Sequence, residues 1–222
     1  MSLALFDLDN TLLGGDSDYL WGRFLVEQGI VDGVSYEREN LRFYKEYLAG
    51  TLDIYEFLRF QLRPLAEHDV DTLHRWREQY LAQMIEPIIL PAARALLQEH
   101  RAKGHTLVII TATNRFITGP IAEALGVEHL LATEPEMENG RYTGGVSGTP
   151  CFREGKVVRL RQWLGQHGKT LEGSWFYSDS HNDLPLLEMV SNPVAVDPDK
   201  TLALHAKKAG WPIISLREQG LE

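Results

Sequence analysis

The chain opens on an unbroken apolar run, Leu3-Ala4-Leu5-Phe6, and then alternates with acids as Asp7-Leu8-Asp9. This pattern predicts a buried strand over residues 3–8. Gly14 and Gly15 break it. From about Asp16 to Met84 apolar positions recur at helical spacing and strand-like runs are missing, which predicts several amphipathic helices. Breaks are expected near residues 29–35, 50–53 and 64–69, with Ser35, Asp53 and Asp69 as N-caps. Beyond Pro91 the periodicity switches repeatedly. Helices are expected from Pro91 to about Lys103, ended by Gly104, from Asn114 to Leu125, closed by Gly126, and from Glu154 to His167. Strands are expected at residues 105–112, 174–177, 194–196 and 212–214, with a helix between the last two. The Glu138-Asn139-Gly140-Arg141 step, within a Gly-rich stretch over 134–149, predicts a hairpin.

Strands that alternate with helices imply right-handed crossovers and a parallel sheet covered on both faces. The expected fold class is α/β, a Rossmann-like core of residues 1–13 plus 87–222. An all-helical insert follows the first strand, over residues 14–86. That insert carries twelve of the chain's 21 aromatic residues, which packing of the insert itself accounts for before any role in a pocket.

Composition narrows the function classes. The 222 residues hold 22 basic and 31 acidic side chains, a net charge of −9. Nucleic acid and anionic membrane surfaces call for the opposite sign, so neither is expected as a partner. Cys151 is the single cysteine, which leaves no intrachain disulfide or cysteine zinc cluster and fits a reducing compartment. No apolar run reaches membrane-span length, and the start lacks a basic leader. A cytoplasmic protein is expected. The eight histidines form neither a His-x-His pair nor a His-Glu-x-x-His helix.

Candidate chemistry collects at strand ends. Asp7 and Asp9 share one side of an extended chain, at the carboxyl end of the first strand, where open parallel sheets place ligands. A second acidic cluster, Ser178-Asp179-Ser180-His181-Asn182-Asp183, follows the strand ending at Tyr177. Neither cluster has the glycine and glutamate of a calcium loop. Acids meeting from two strands form an oxygen-only set that suits Mg²⁺, a partner of phosphate. Thr111-Ala112-Thr113 ends another strand, where a hydroxyl and free backbone N–H groups can cradle phosphate; Thr113 capping the next helix is the plainer reading. Lys156 stands at a helix start, where a cation is electrostatically out of place, which suggests that it points at an anion.

In this order, these motifs resemble the haloacid-dehalogenase-like phosphatases, specifically the phosphoserine-phosphatase-like branch, over essentially the whole chain. The resemblance implies hydrolysis of a small phosphate ester through an aspartyl-phosphate. Asp7 would be the nucleophile and Asp9 the general acid and base. Asp7, Asp9 (through its backbone carbonyl) and Asp179 would hold Mg²⁺. Thr111, Ala112 and Lys156 would bind phosphate, with Asn182 and Asp183 supporting them. Family members often place the lysine just before this helix, where Glu154 could align instead; a carboxylate cannot replace a cation, so Lys156 is chosen and Arg153 held in reserve. The helical insert would be the cap. The branch binds a substrate ammonium with the acid nine residues after the nucleophile, here Asp16. It binds a substrate carboxylate with a cap arginine, which a loose alignment replaces with Gln61, Arg59 and Arg63 lying close by. An amine-bearing alcohol phosphate without a carboxylate fits that pair, L-histidinol phosphate being the best single choice. Phosphoserine and a phosphotransferase using the same intermediate are the alternatives. The sequence does not fix the oligomeric state.

Overall fold

The computed structural model describes residues 2–217; residues 218–222, counted above with the expected core, lie outside the described residues. Seven strands form one sheet: β1 (Leu3–Phe6), β2 (Thr106–Asn114), β3 (His129–Glu138), β4 (Arg141–Ser147), β5 (Trp175–Ser178), β6 (Asn192–Val196) and β7 (Ile213–Ile214). Their spatial order is β4-β3-β2-β1-β5-β6-β7. Every neighbouring pair is parallel except β3 and β4, the hairpin that turns at Asn139-Gly140. The sheet is therefore a doubly covered α/β sheet of the Rossmann-like kind.

Side-chain alternation on β1 and β2 feeds two cores. Ala4, Phe6, Leu107 and Ile109 face one layer, and Leu3, Leu5, Val108 and Ile110 the other. Helices α5 (Pro91–Ala102) and α6 (Arg115–Ala124) cover the first face through Leu97, Ile117 and Ile121. Helices α7 (Glu154–His167), α8 (Leu184–Leu187) and α9 (Lys200–Ala209) cover the second through Leu160, Leu186 and Leu202.

Four helices occupy the stretch between β1 and α5: α1 (Ser17–Glu27), α2 (Gly33–Ala49), α3 (Ile54–Glu67) and α4 (Val70–Tyr80). The chain leaves and rejoins the sheet along paired connectors. Leu13 bridges Ile89, and Gly14 N–H donates to the Ile88 carbonyl at 2.7 Å. A π-helical turn, Leu81–Ile85, precedes the return. A third, small cluster joins Phe43 and Leu52 of the helical stretch to Phe152 and Ala112 at the sheet's end.

Several local expectations shift. The cap of α2 is Asp32, whose carboxylate accepts from Ser35 N–H, instead of Ser35 itself. Asp53 and Asp69 cap α3 and α4 as expected. Pro64 lies inside α3, buried beside Leu62 and Leu65, where packing outweighs one lost backbone hydrogen bond. β3 begins at His129, ahead of the expected hairpin, and its first half pairs parallel with β2. Short α8 was not expected: four residues are too few for a periodic signal.

Candidate active site

The carboxyl ends of β1, β2 and β5 meet beneath the helices α1–α3. Asp7 N–H donates to the Tyr177 carbonyl at 2.9 Å, carrying β1 one residue further beside β5. Asn10 then takes a left-handed conformation (φ 57°) and turns the chain. Thr11 stitches the two acidic clusters together. Its hydroxyl accepts from Asp179 N–H (3.1 Å) and donates to the Asp179 carboxylate (3.3 Å).

Lys156 closes the arrangement. Its Nζ lies 2.7 Å from Asp7 and 2.8 Å from Asp183, all three side chains being almost fully buried. The helix start that carries it depends on Gly155, since a Cβ there would collide with the Pro150 carbonyl. Asp183 also accepts from the Ser178 hydroxyl at 2.7 Å. Burial works against the ammonium, but Asp183 and Asp7 outweigh it and hold the Lys156 pKa above its ordinary value. Burial pushes the Asp7 carboxyl up to about 7; Lys156 pulls it down, while Asp183 and Asp9 push it further up. Asp179 is likewise raised by burial and by the charges of Asp7 and Asp183. Like charges gathered out of water at this point form a site that favours a cation.

Asp9 faces the other way. One of its oxygens accepts from Ser17 N–H (2.7 Å), the other from the Thr113 hydroxyl (2.8 Å). Burial and the neighbouring Asp16 raise its pKa to about 6. The register shift of β2 between Ile110 and Asn114 takes residues 111–113 out of regular pairing with β3. Thr111, Ala112 and Thr113 there line the cavity beside Asp7 and Lys156. The helix cap expected of Thr113 is supplied by Asn114, which leaves the Thr113 hydroxyl for Asp9.

Among the described residues no three acid, histidine or cysteine side chains stand close enough to hold a metal by themselves. Asp7 and Asp179, with backbone carbonyl oxygen and water, match the demands of a hard cation that keeps part of its hydration shell.

Of the expected substrate contacts, Asp16 lines the cavity and caps α1, accepting from Tyr19 N–H at 2.9 Å. Gln61 does not line it. Its side chain is buried behind the wall, bonded to the Tyr36 hydroxyl (2.9 Å) and the Asp18 carbonyl (3.2 Å). Arg59 and Arg63 are exposed and also lie outside the lining. Arg153, the reserve cation, turns from Asp7 to Asn182 Oδ1 (2.9 Å) and the Gly50 carbonyl; Glu154 is exposed. Phe43, Tyr44 and Tyr47, among the insert's aromatic residues, line the cavity, and so do Asp18 and Phe152, which the sequence did not single out. For Asp18 a signal existed: Asp9, Asp16 and Asp18 put three acids within a ten-residue span that follows one strand.

The family model for haloacid dehalogenase-like hydrolases matches residues 4–188. The chain belongs to that family, and its reaction class is phosphoric monoester hydrolysis. It is 44% identical over 220 residues to a histidinol-phosphatase of Neisseria meningitidis serogroup C (strain 8013), covering 97% of this chain and 99% of the relative. A crystal structure of a protein with unknown function from Bordetella pertussis Tohama I matches with a TM-score of 0.92 at 45% identity, over 97% of this chain and 99% of that one. A phospho-aspartyl intermediate analogue structure of phosphoserine phosphatase shares the fold (TM-score 0.71, 20% identity, 97% and 93% covered). No helix among the described residues is long and apolar enough to cross a membrane.

Proposed function

We propose that the chain is a Mg²⁺-dependent phosphatase that works through an aspartyl-phosphate on a small amine-bearing alcohol phosphate, L-histidinol phosphate being the best single substrate. The observation that carries the chemistry is Lys156 bridging Asp7 and Asp183 at the sheet's carboxyl end. In the first step an Asp7 carboxylate oxygen attacks phosphorus, the ester P–O bond breaks, and Asp9 hands its proton to the departing alkoxide. In the second, Asp9 takes a proton from water, the water oxygen attacks phosphorus, and the bond to Asp7 breaks to release phosphate. A group with a pKa near 6 suits both transfers. Lys156, Thr111 and the backbone N–H groups near Ala112 bind the phosphoryl oxygens. Asp183 holds Lys156 in place, and Asn182 supports the same loop. Mg²⁺, held by Asp7, the Asp9 carbonyl and Asp179, would neutralise charge between the incoming phosphate and the nucleophile.

The substrate reading rests on the cavity's lining. Lys156 is its single cationic residue among the described residues, and it is engaged by two carboxylates. No arginine or lysine is left for a substrate carboxylate, which argues against phosphoserine. Asp16, without a cationic partner in the lining, suits a substrate ammonium. The name of the Neisseria relative agrees with this reading. Residues 14–86 act as the cap, with the ring-lined wall over the leaving group.

The test is Mg²⁺-dependent phosphate release from L-histidinol phosphate, phosphoserine and phosphoethanolamine, with Asp7→Asn as control. L-histidinol phosphate is expected to be turned over best and the variant to be inactive. Preference for phosphoserine would overturn the substrate reading.

A further inference from the structure

Phosphoryl transfer and the substrate ammonium leave one buried acid of the cavity without a task. Asp18, on the first turn of α1, is 6% exposed and lines the cavity. A carboxylate removed from water is costly unless something compensates it. The cavity's one cation, Lys156, is committed to Asp7 and Asp183. Asp18 has no cation beside it among the described residues: Asn114 Nδ2 reaches one of its oxygens at 3.5 Å, Gln61 lies close, and burial together with the charges of Asp16 and Asp9 raises its pKa well above the ordinary value. A first-turn acid does complement a helix dipole, but that role works at the surface and needs no burial. Asp16 already caps the same helix.

The lining around it adds a second, independent observation. Five aspartates line the cavity. Three of them, Asp7, Asp9 and Asp183, are bonded within the phosphate end. Asp16 and Asp18 remain, close enough for the charge of one to act on the other. With the substrate ammonium assigned to Asp16, Asp18 and the aromatic wall are left for a second group of the substrate; a flat, nitrogen-bearing group matches both, its N–H pairing with a carboxylate while its face lies on rings such as Tyr44 and Phe43.

We propose that Asp18 is a specificity-determining residue that receives the N–H of a planar nitrogen heterocycle on the leaving alcohol, so that the preferred ester carries two nitrogen groups, an amine for Asp16 and a heterocycle for Asp18. This rests on the amino-alcohol phosphatase reading above and adds to it the residue that selects the heterocycle.

The test compares kcat/KM for L-histidinol phosphate and L-phenylalaninol phosphate, which share the phosphate and the amine and differ in imidazole against phenyl. The ratio is measured in the wild-type chain and in Asp18→Asn and Asp18→Ser, so that one variant that does not fold leaves another. General losses of folding or chemistry cancel in the ratio. The wild-type chain is expected to favour the imidazole ester by about tenfold or more, and the variants to lose most of that preference, mainly through KM, as for one charge-assisted hydrogen bond. A ratio unchanged in the variants overturns the assignment of Asp18 and leaves the amino-alcohol reading standing. A wild-type chain that hydrolyses phosphoserine and neither of the two esters overturns that reading, and this inference with it.

Discussion

Lys156 and Asp7 stand 2.7 Å apart although 149 residues separate them in the chain. The same ammonium reaches Asp183 at 2.8 Å, so one cation compensates two buried carboxylates. Lys156→Met keeps the length of the side chain and removes the charge. Phosphate release is expected to fall by about 10²–10³-fold, the usual cost of losing a preorganised charge at a transferring group. Steady-state kinetics on an aryl phosphate checks this, and an effect below about fivefold would remove Lys156 from the phosphate site.

Asp9 is oriented by Ser17 N–H and the Thr113 hydroxyl. Asp9→Asn keeps the shape and loses the proton. Hydrolysis of an alkyl phosphate, whose alkoxide needs that proton, is expected to fall by about 10²–10⁴-fold. Formation of the intermediate from 4-nitrophenyl phosphate, with its good leaving group, is expected to suffer much less. Single-turnover release of nitrophenolate and of alcohol gives the comparison; equal losses would argue against a general-acid role.

The pKa shifts set a pH dependence for metal binding. Asp9 and Asp7 rise to about 6 and about 7, chiefly through burial. A carboxyl raised in the folded state binds more protons there than in the unfolded chain, so its contribution is complete below the ordinary carboxyl range and is lost as pH rises through 6 and 7. Without metal the melting temperature is expected to decline across that window. Mg²⁺ should raise it at pH values above the Asp7 pKa of about 7 and do little well below it, because the Asp7 carboxylate must be ionised to hold the metal, whereas Asp9 offers its backbone carbonyl. Scanning calorimetry with and without Mg²⁺ tests both; a metal effect that does not grow with pH contradicts the site.

Two carbonyls at the end of α2 are tied to the sheet. Arg153 donates to Gly50 O, Asn182 Nδ2 to Tyr47 O at 3.4 Å, and Arg153 Nε to Asn182 at 2.9 Å. Gly50 has φ 71°, and a Cβ there would come within 3.0 Å of His181 Nε2. Arg153→Ala and Gly50→Ala are both expected to raise KM several-fold (on the order of 1 kcal/mol), with a smaller effect on kcat. An unchanged KM in both would show that these contacts do not position the end of α2 for substrate binding.

His100 lies buried between His105 (2.7 Å) and the Tyr177 hydroxyl (2.8 Å). Burial and then His105 push its pKa down to about 4. A depressed histidine contributes stability above its ordinary pKa near 6.5, and the contribution is lost as pH falls through 4. His100→Phe is expected to flatten the acid limb of the stability profile between those values, as measured by urea unfolding. A limb of unchanged steepness would contradict it.

Much of this arrangement is legible in local patterns. The apolar run into Asp7-Leu8-Asp9 marks a strand that ends in acids. Asp53 and Asp69 announce their helices, and Asn139-Gly140 its hairpin. Gln61 and Asp18 mark the limit. Helical spacing gives a side chain's place on its own helix, but the packing of α3 against α1 and α2 decides which face meets the cavity. That packing turns Gln61 to Tyr36 and leaves Asp18 in the lining. Arg153 and Lys156 are three residues apart, and the start of α7 just after Arg153, with Gly155 packed against the Pro150 carbonyl, brings Lys156 to Asp7.

The sequence by itself determined the alternation of strands and helices, the helical stretch between β1 and α5, and the residue types available at each strand end. These follow from periodicity, caps and turns, which act over a few residues. Tertiary structure decided which acids share one cation, which face water-poor space without one, and which hydroxyl serves Asp9. Those outcomes depend on contacts between segments more than a hundred residues apart, such as Thr113 with Asp9 and Thr11 with Asp179. The burial that fixes their charges exists only once the sheet and its helices have closed together.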